Sequence, residues 1–147
     1  MELFDDAIEP TAVGYELDSA LPPTQSPVLR ERTQTADAVI RARVVTVTST
    51  PEDSGRSFQI GLRTLEGLAG SQGPAALTLH IRETDPAAGI VRAAESHLIG
   101  LTVIAFLRQF RARDHATPDG QLHFHIGPDS KAELRAVREA VLLGEVR

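Results

Sequence analysis

The chain has 147 residues and a mass of 15.8 kDa, enough for one domain with a real core but too short for two. With 41% apolar residues, 24% charged residues and a formal charge of −5, it has the proportions of an ordinary globular protein. It has no Cys, which excludes disulfides, thiolate zinc sites, iron–sulfur clusters and a cysteine nucleophile, and with no Trp and a single Tyr an aromatic-rich binding face is not expected.

The charge is unevenly spread. Residues 1–29 hold Glu2, Asp5, Asp6, Glu9, Glu16 and Asp18 and no Lys or Arg, a charge of −6, whereas residues 30–147 hold fourteen acids and fifteen bases, a charge of +1. A nearly neutral body does not displace counterions from phosphates, so a general nucleic-acid partner is not expected. No run reaches the roughly 18 apolar residues of a membrane span. The N-terminus shows no basic and apolar leader. The expected location is periplasmic or secreted if an export signal has been removed ahead of Met1, and cytoplasmic otherwise.

Residues 1–35 read as an acidic extended arm. Pro22, Pro23 and Pro27 favour polyproline II and make it a semi-rigid spacer. Ahead of them Leu3, Phe4, Ala7 and Ile8 form one apolar turn, too short to be a stable helix alone. Leu3, Phe4, Ile8 and Tyr15 are therefore the expected contacts for a protein partner or for self-association through the arm.

The body, residues 36–147, opens on a period-two pattern over Ala36–Thr48, with Ile40, Ala42 and Val44 inward. Val45 and Val47 fall on the opposite parity, which predicts a bulge or bend near Val44 and Val45. A turn over Pro51–Gly55 leads to a second strand through Phe58, Ile60 and Leu62, expected to end at Gly67 and Gly70. Leu77, Leu79 and Ile81 mark a third strand, closed by Asp85-Pro86. Residues 87–98 fit a short strand or a helical turn equally. Leu98–Phe110 is apolar on both parities and predicts a central strand buried on both sides. After a polar loop at Asp114–Gly120, Gln121–Ile126 forms a fifth strand with Leu122, Phe124 and Ile126 inward. Ser130 and Glu133 form a capping box for a final helix carrying Leu134, Val137 and Val141, with Gly144 as its C-terminal cap.

The expected fold is thus mainly β: a small five-stranded OB-like barrel with a C-terminal helix and an extended N-terminal arm, closed or nearly closed because closure hides strand edges. Three segments, Ala36–Val47, Phe58–Gly67 and Ala105-Phe106-Leu107, carry a resemblance. The chain resembles the OB-fold barrels of the netrin-like and metalloproteinase-inhibitor-like group found in exported bacterial proteins, over about residues 36–143. The cysteines usual in that group are absent, so protease inhibition does not carry over. The resemblance implies a non-enzymatic extracytoplasmic binding module.

Three constellations bear on chemistry. His123 and His125 flank Phe124, so strand geometry puts both rings on one face about 7 Å apart, where they can supply two nitrogens to a metal that His115 or His80 completes. Glu95, Ser96 and His97 are sequence neighbours, which does not place a hydroxyl on an imidazole, and the glycines at 67, 70 and 73 lack a phosphate-binding motif. Arg41 and Arg43, with Arg108, Arg111 and Arg113, suit single-stranded nucleic acid only if Phe58, Phe106 and Phe124 are exposed for stacking, and the strand pattern places those rings in the core. Pairing of the arginines with Glu66, Glu83 or Glu95 is the simpler expectation. No catalytic residue and no cofactor are expected. The leading expectation is a non-catalytic protein-binding or structural barrel, then a metal-binding protein using His123 and His125, then a single-stranded nucleic-acid-binding domain.

Overall fold

The computed structural model describes residues 3–14, 26–52, 55–70, 75–110 and 121–145. Its centre is a long two-stranded ribbon, β2 (Ala38–Glu52) and β3 (Gly55–Gly70), paired antiparallel along its whole length. The β-branched alternation read from the sequence builds both strands. Gly67 does not interrupt β3, because β2 supplies it with a partner as far as Ala38, and the strand ends at Gly70, as expected. The parity switch expected near Val44 is a real irregularity. The register shifts between Val44 and Thr46, and again near Val39 and Arg41, so β2 bends. That bend lets its first half pair with β5 (Thr102–Phe110) while its full length pairs with β3.

β4 (Ala76–Ile81) pairs antiparallel with β3, and β6 (Gln121–Pro128) pairs antiparallel with β5. A sixth strand, β1 (Ala7–Ile8), runs parallel to β6. The sheet order is β1-β6-β5-β2-β3-β4. The sheet is open, with β1 and β4 at its two edges, so the expected closure into a five-stranded barrel is not seen among the described residues. β4 and β6 nevertheless line one cavity, although three strands separate them in the order, so the sheet curls strongly.

Both faces of the sheet are covered, which explains the doubly apolar pattern of β5. Val103, Ala105 and Leu107 enter a core with Phe58, Leu62 and Phe124 and with Ala87, Ala88 and Val91 of helix α2 (Ala87–Ala94). Ile104 and Phe106 point the other way, into a layer with Leu29 of α1 (Pro27–Thr35) and Ala136 and Val137 of α3 (Lys131–Glu145). The ambiguous stretch 87–98 is therefore helix, followed by a 3-10 turn at Glu95–His97. Ser130 Oγ accepts the Glu133 amide at 3.1 Å, as the capping box requires, but the Glu133 side chain is buried instead of reaching back. Gly144 lies inside α3 and does not end it in a left-handed cap. No described helix is long and apolar enough to cross a membrane.

The expected extended arm is, in its described parts, layered onto the body. β1, a 3-10 turn at Pro10–Val13 and α1 occupy it. Phe4 is 2% exposed and Ile8 6%, each inside one of the two cores, and Leu3 packs on the second. These apolar side chains, expected to meet a partner, are spent on the chain's own core. Tyr15, Pro22 and Pro23 lie outside the described residues, whereas Pro27 opens α1 behind the N-cap Ser26.

Burying a large apolar side chain contributes about 1.5–3 kcal/mol. Removing residues 1–14 should therefore lower the urea midpoint sharply and cost several kcal/mol of folding free energy. An unchanged midpoint would mean that the arm is not part of the cooperative unit.

Candidate functional site

Parallel pairing of β1 with β6 lays the acidic start of the chain beside His123–Ile126. Asp6 turns the chain there with φ +54°, the left-handed region that Asp tolerates better than most residues with a Cβ. All its polar groups are used. Its N–H donates to Phe124 O at 2.9 Å, and its carbonyl accepts the N–H of Ala87, the first residue of α2, at 3.0 Å. Oδ1 accepts the Phe124 N–H at 3.2 Å, and Oδ2 accepts His123 Nδ1–H at 2.8 Å. A carboxylate only accepts, so this contact places the proton of His123 on Nδ1.

His125 is held more tightly still. Asp5 Oδ1 lies 2.9 Å from its Nδ1 and Glu9 Oε2 lies 2.9 Å from its Nε2. Each ring nitrogen thus faces a carboxyl oxygen, and an ionised carboxylate takes only a donor. Arg32 of α1 completes the cluster: its Nε–H donates to Leu3 O at 2.6 Å and its guanidinium lies 5.7 Å from the Phe106 ring centre. Phe106 also meets the His125 ring edge-on, with centres 6.3 Å apart. Burial lowers the Arg32 pKa, while Glu9, Asp5 and Glu133 act in the opposite sense.

Glu133 of α3 belongs to the same cluster. It is buried, and its Oε1 has no hydrogen-bond partner among the described residues. A Cβ at Gly127 would lie 2.9 Å from Glu133 Oε1 and 3.0 Å from Glu9 Oε2, so glycine is what makes room for the two carboxyl groups. Burial first, and the Glu9 carboxylate second, push the Glu133 pKa up to about 8 against the opposing pull of Arg32.

On the other side of Asp6 the curled sheet leaves a cleft of about 330 Å³ between β4 and β6. Thr78, His80 and Arg82 line one wall, and Leu122 and His123 the other. Leu122, expected inward, is 41% exposed here, whereas Phe124 and Ile126 are buried as expected.

The remaining expectations resolve against this geometry. His123 and His125 do share a face, and His80 lines the same cleft as His123, but His125 offers no lone pair while both its nitrogens donate. No group of three or more His, Cys, Asp or Glu side chains that could hold a metal occurs among the described residues. His115 falls outside them, as do Arg111, Arg113 and the glycine at 73. Glu95, Ser96 and His97 are exposed on a 3-10 turn. Arg41 makes a two-pronged contact with Asp129 at 2.9 and 3.1 Å, and Glu83 takes Arg92 at 3.8 Å. Phe58, Phe106 and Phe124 are all buried, leaving none of these rings to stack on a base.

The sequence reading did not find Asp5, Asp6, Glu9, Arg32 or Glu133. The one available signal is charge segregation, since three of the six acids in residues 1–29 belong to this cluster. No protein-family model matches the chain, and no curated protein matches it either.

Two outcomes follow from the geometry. Asp6→Ala leaves a buried Phe124 N–H and His123 without their acceptor and should cost about 2–4 kcal/mol in urea denaturation, whereas Asp6→Gly should recover about 1 kcal/mol of that by easing the positive φ. Glu133 ionises near 4.5 when unfolded and near 8 when folded. Between those values the folded protein holds a proton that the unfolded chain has lost, so stability should fall as pH rises across the window, by up to about 1.4 kcal/mol per pH unit, and level off above it. Glu133→Gln should remove that slope. Urea midpoints measured from about pH 5 to about pH 9 decide the matter, and a slope kept in the variant would assign the proton elsewhere.

Proposed function

We propose that this chain is a non-catalytic protein-binding module built on an OB-type barrel of the netrin-like kind, with its binding surface at the seam between β4 and β6. Support for the barrel comes from the strand order. Setting β1 aside, β6-β5-β2-β3-β4 with a helix between β4 and β5 is the arrangement of a partly open five-stranded Greek-key barrel. The two end strands, which would form the closing pair, line one cavity.

One observation carries the binding role: β4 is an edge strand that faces a cleft and is not covered by any described strand or helix. Native sheets normally blunt such an edge with charge, proline or a bulge, and an edge left open is a template for another chain. Along Leu77–Leu79 β4 carries none of these devices. The binding surface then lies not on the arm, whose apolar side chains Phe4 and Ile8 are buried, but on the opposite edge of the sheet.

Selection of peptides from a random display library on the immobilised full chain tests this role. Extended sequences should be enriched, should bind with one-to-one stoichiometry and should leave the protein unmodified. Failure of any sequence to rise above the level seen with an unrelated barrel domain of similar charge would refute the reading.

A further inference from the structure

We infer that β4 accepts an extended peptide by strand addition at Thr78 and His80, and that this peptide carries an acidic side chain toward His80 and Arg82. The inference rests on the protein-binding reading and names the partner's chemistry.

The phase of the hydrogen-bond ladder fixes which groups are available. The Thr64 N–H donates to Ala75 O at 2.9 Å, and the register continues as Arg63 with Ala76, Leu62 with Leu77, Gly61 with Thr78 and Ile60 with Leu79. In an antiparallel pair, bonded and non-bonded residues alternate. Leu77, Leu79 and Ile81 therefore spend their main-chain groups on β3, while Thr78 and His80 direct theirs toward the cleft. The next residue in this phase agrees: the Arg82 N–H points outward and donates to Asp85 Oδ2 at 2.8 Å. Asp85 thus closes one end of the edge and leaves a donor and an acceptor at each of Thr78 and His80.

The opposite wall does not satisfy those groups. On β6 the outward main-chain groups of Phe124 are both taken by Asp6. Asp6 and the arm stand where β4 would otherwise pair, so the cleft between the two walls stays open to a third chain.

Charge selects the peptide. Thr78 and His80 of β4, and Arg82 just beyond its end, are exposed. His80 and Arg82 also line a second cavity of about 330 Å³, with Thr50, Ser57 and Gln59, and none of its lining residues is acidic. A strand added at Thr78 and His80 would place alternate side chains over these residues. Over the second cavity a carboxylate meets the Arg82 guanidinium, the His80 imidazole and hydroxyl donors and no acid, whereas the acids Asp6 and Asp85 line the first cleft.

The probe is a blocked eight-residue peptide of alternating Thr and Val with one central Glu, compared with its Gln and Lys versions by fluorescence anisotropy and by amide shifts in the full chain. The Glu peptide should bind most tightly and shift Thr78 and His80. Thr78→Pro removes an outward N–H at an edge position where proline is tolerated, and should weaken binding by about tenfold with the melting temperature kept. Should that variant fold poorly, a peptide methylated on its backbone nitrogens replaces it and should lose binding to the unaltered protein. His80→Ala should reduce the preference for Glu over Gln. Unchanged affinity in Thr78→Pro or for the methylated peptide, shifts confined to the outer half of β2 at residues 45–51, or equal binding of the Lys peptide would each overturn the inference. Library peptides that bind without competing with the Glu probe would overturn it too while leaving the protein-binding role standing, whereas an empty selection removes both.

Discussion

The contact between Asp6 and Phe124 is what the rest of the architecture depends on. A single residue ties the arm to β6 through its main chain and its carboxylate, fixes the proton of His123 on Nδ1, and receives the first amide of α2. The left-handed backbone at Asp6 is strained for a residue with a Cβ and persists because its surroundings determine it from several sides at once. Without that turn, the arm could not pass from the layer under α1 and α3, where Phe4 lies, to the core under α2, where Ile8 lies. The arm crosses from one face of the sheet to the other at the edge of β6, and Asp6 is the crossing point.

The second constraint is electrostatic. Residues 1–29 carry −6, and a loose tail of that charge would be repelled by nothing and held by nothing. Instead Asp5, Asp6 and Glu9 meet His125, His123 and Arg32, so the imbalance between arm and body is largely an internal complementarity. Desolvating charges costs free energy that their mutual attraction repays only when every group is matched. Asp5, Glu9, Arg32 and His125 are matched, and Glu133 avoids the cost by keeping its proton. The consequence is specificity more than stability: an apolar arm could slide along β6, whereas carboxylates spaced as at positions 5, 6 and 9 fit histidines at 123 and 125 in one register only.

How far the sequence discloses this follows from the range of each interaction. Alternation with period two is local, and it marks β2, β4, β6 and the doubly buried β5, although β5 begins at Thr102 and not at Leu98; even the irregularity at Val44 is visible as a change of parity. The signals that misled were also local. Gly67 is a turn residue by propensity, but β2 pairs with it and only Gly70 ends β3. Glu133 sits where a capping box needs it, but the buried charges of Arg32 and Glu9 draw it elsewhere. Residues 87–94 are alanine-rich and short, so their helical state is decided by packing against the sheet rather than by pattern. The cluster itself was invisible because it joins positions more than a hundred residues apart, and no spacing within either segment marks the other.

The open seam and the docked arm are two sides of one arrangement. Each residue of an inner strand can satisfy two neighbours, and β6 satisfies β5 on one side and the arm on the other. Once Asp6 holds both outward groups of Phe124, β4 cannot pair with β6 at that point without displacing the arm. Releasing the arm would uncover Phe4 and Ile8 and leave His123 and His125 without their carboxylates, a loss that strand pairing over the few residues of β4 would not repay. The acidic start of the chain therefore acts as a wedge. By filling the edge of β6 it leaves the outer edge of β4 without a strand partner among the described residues, and that open edge follows from the same charges that fix the arm.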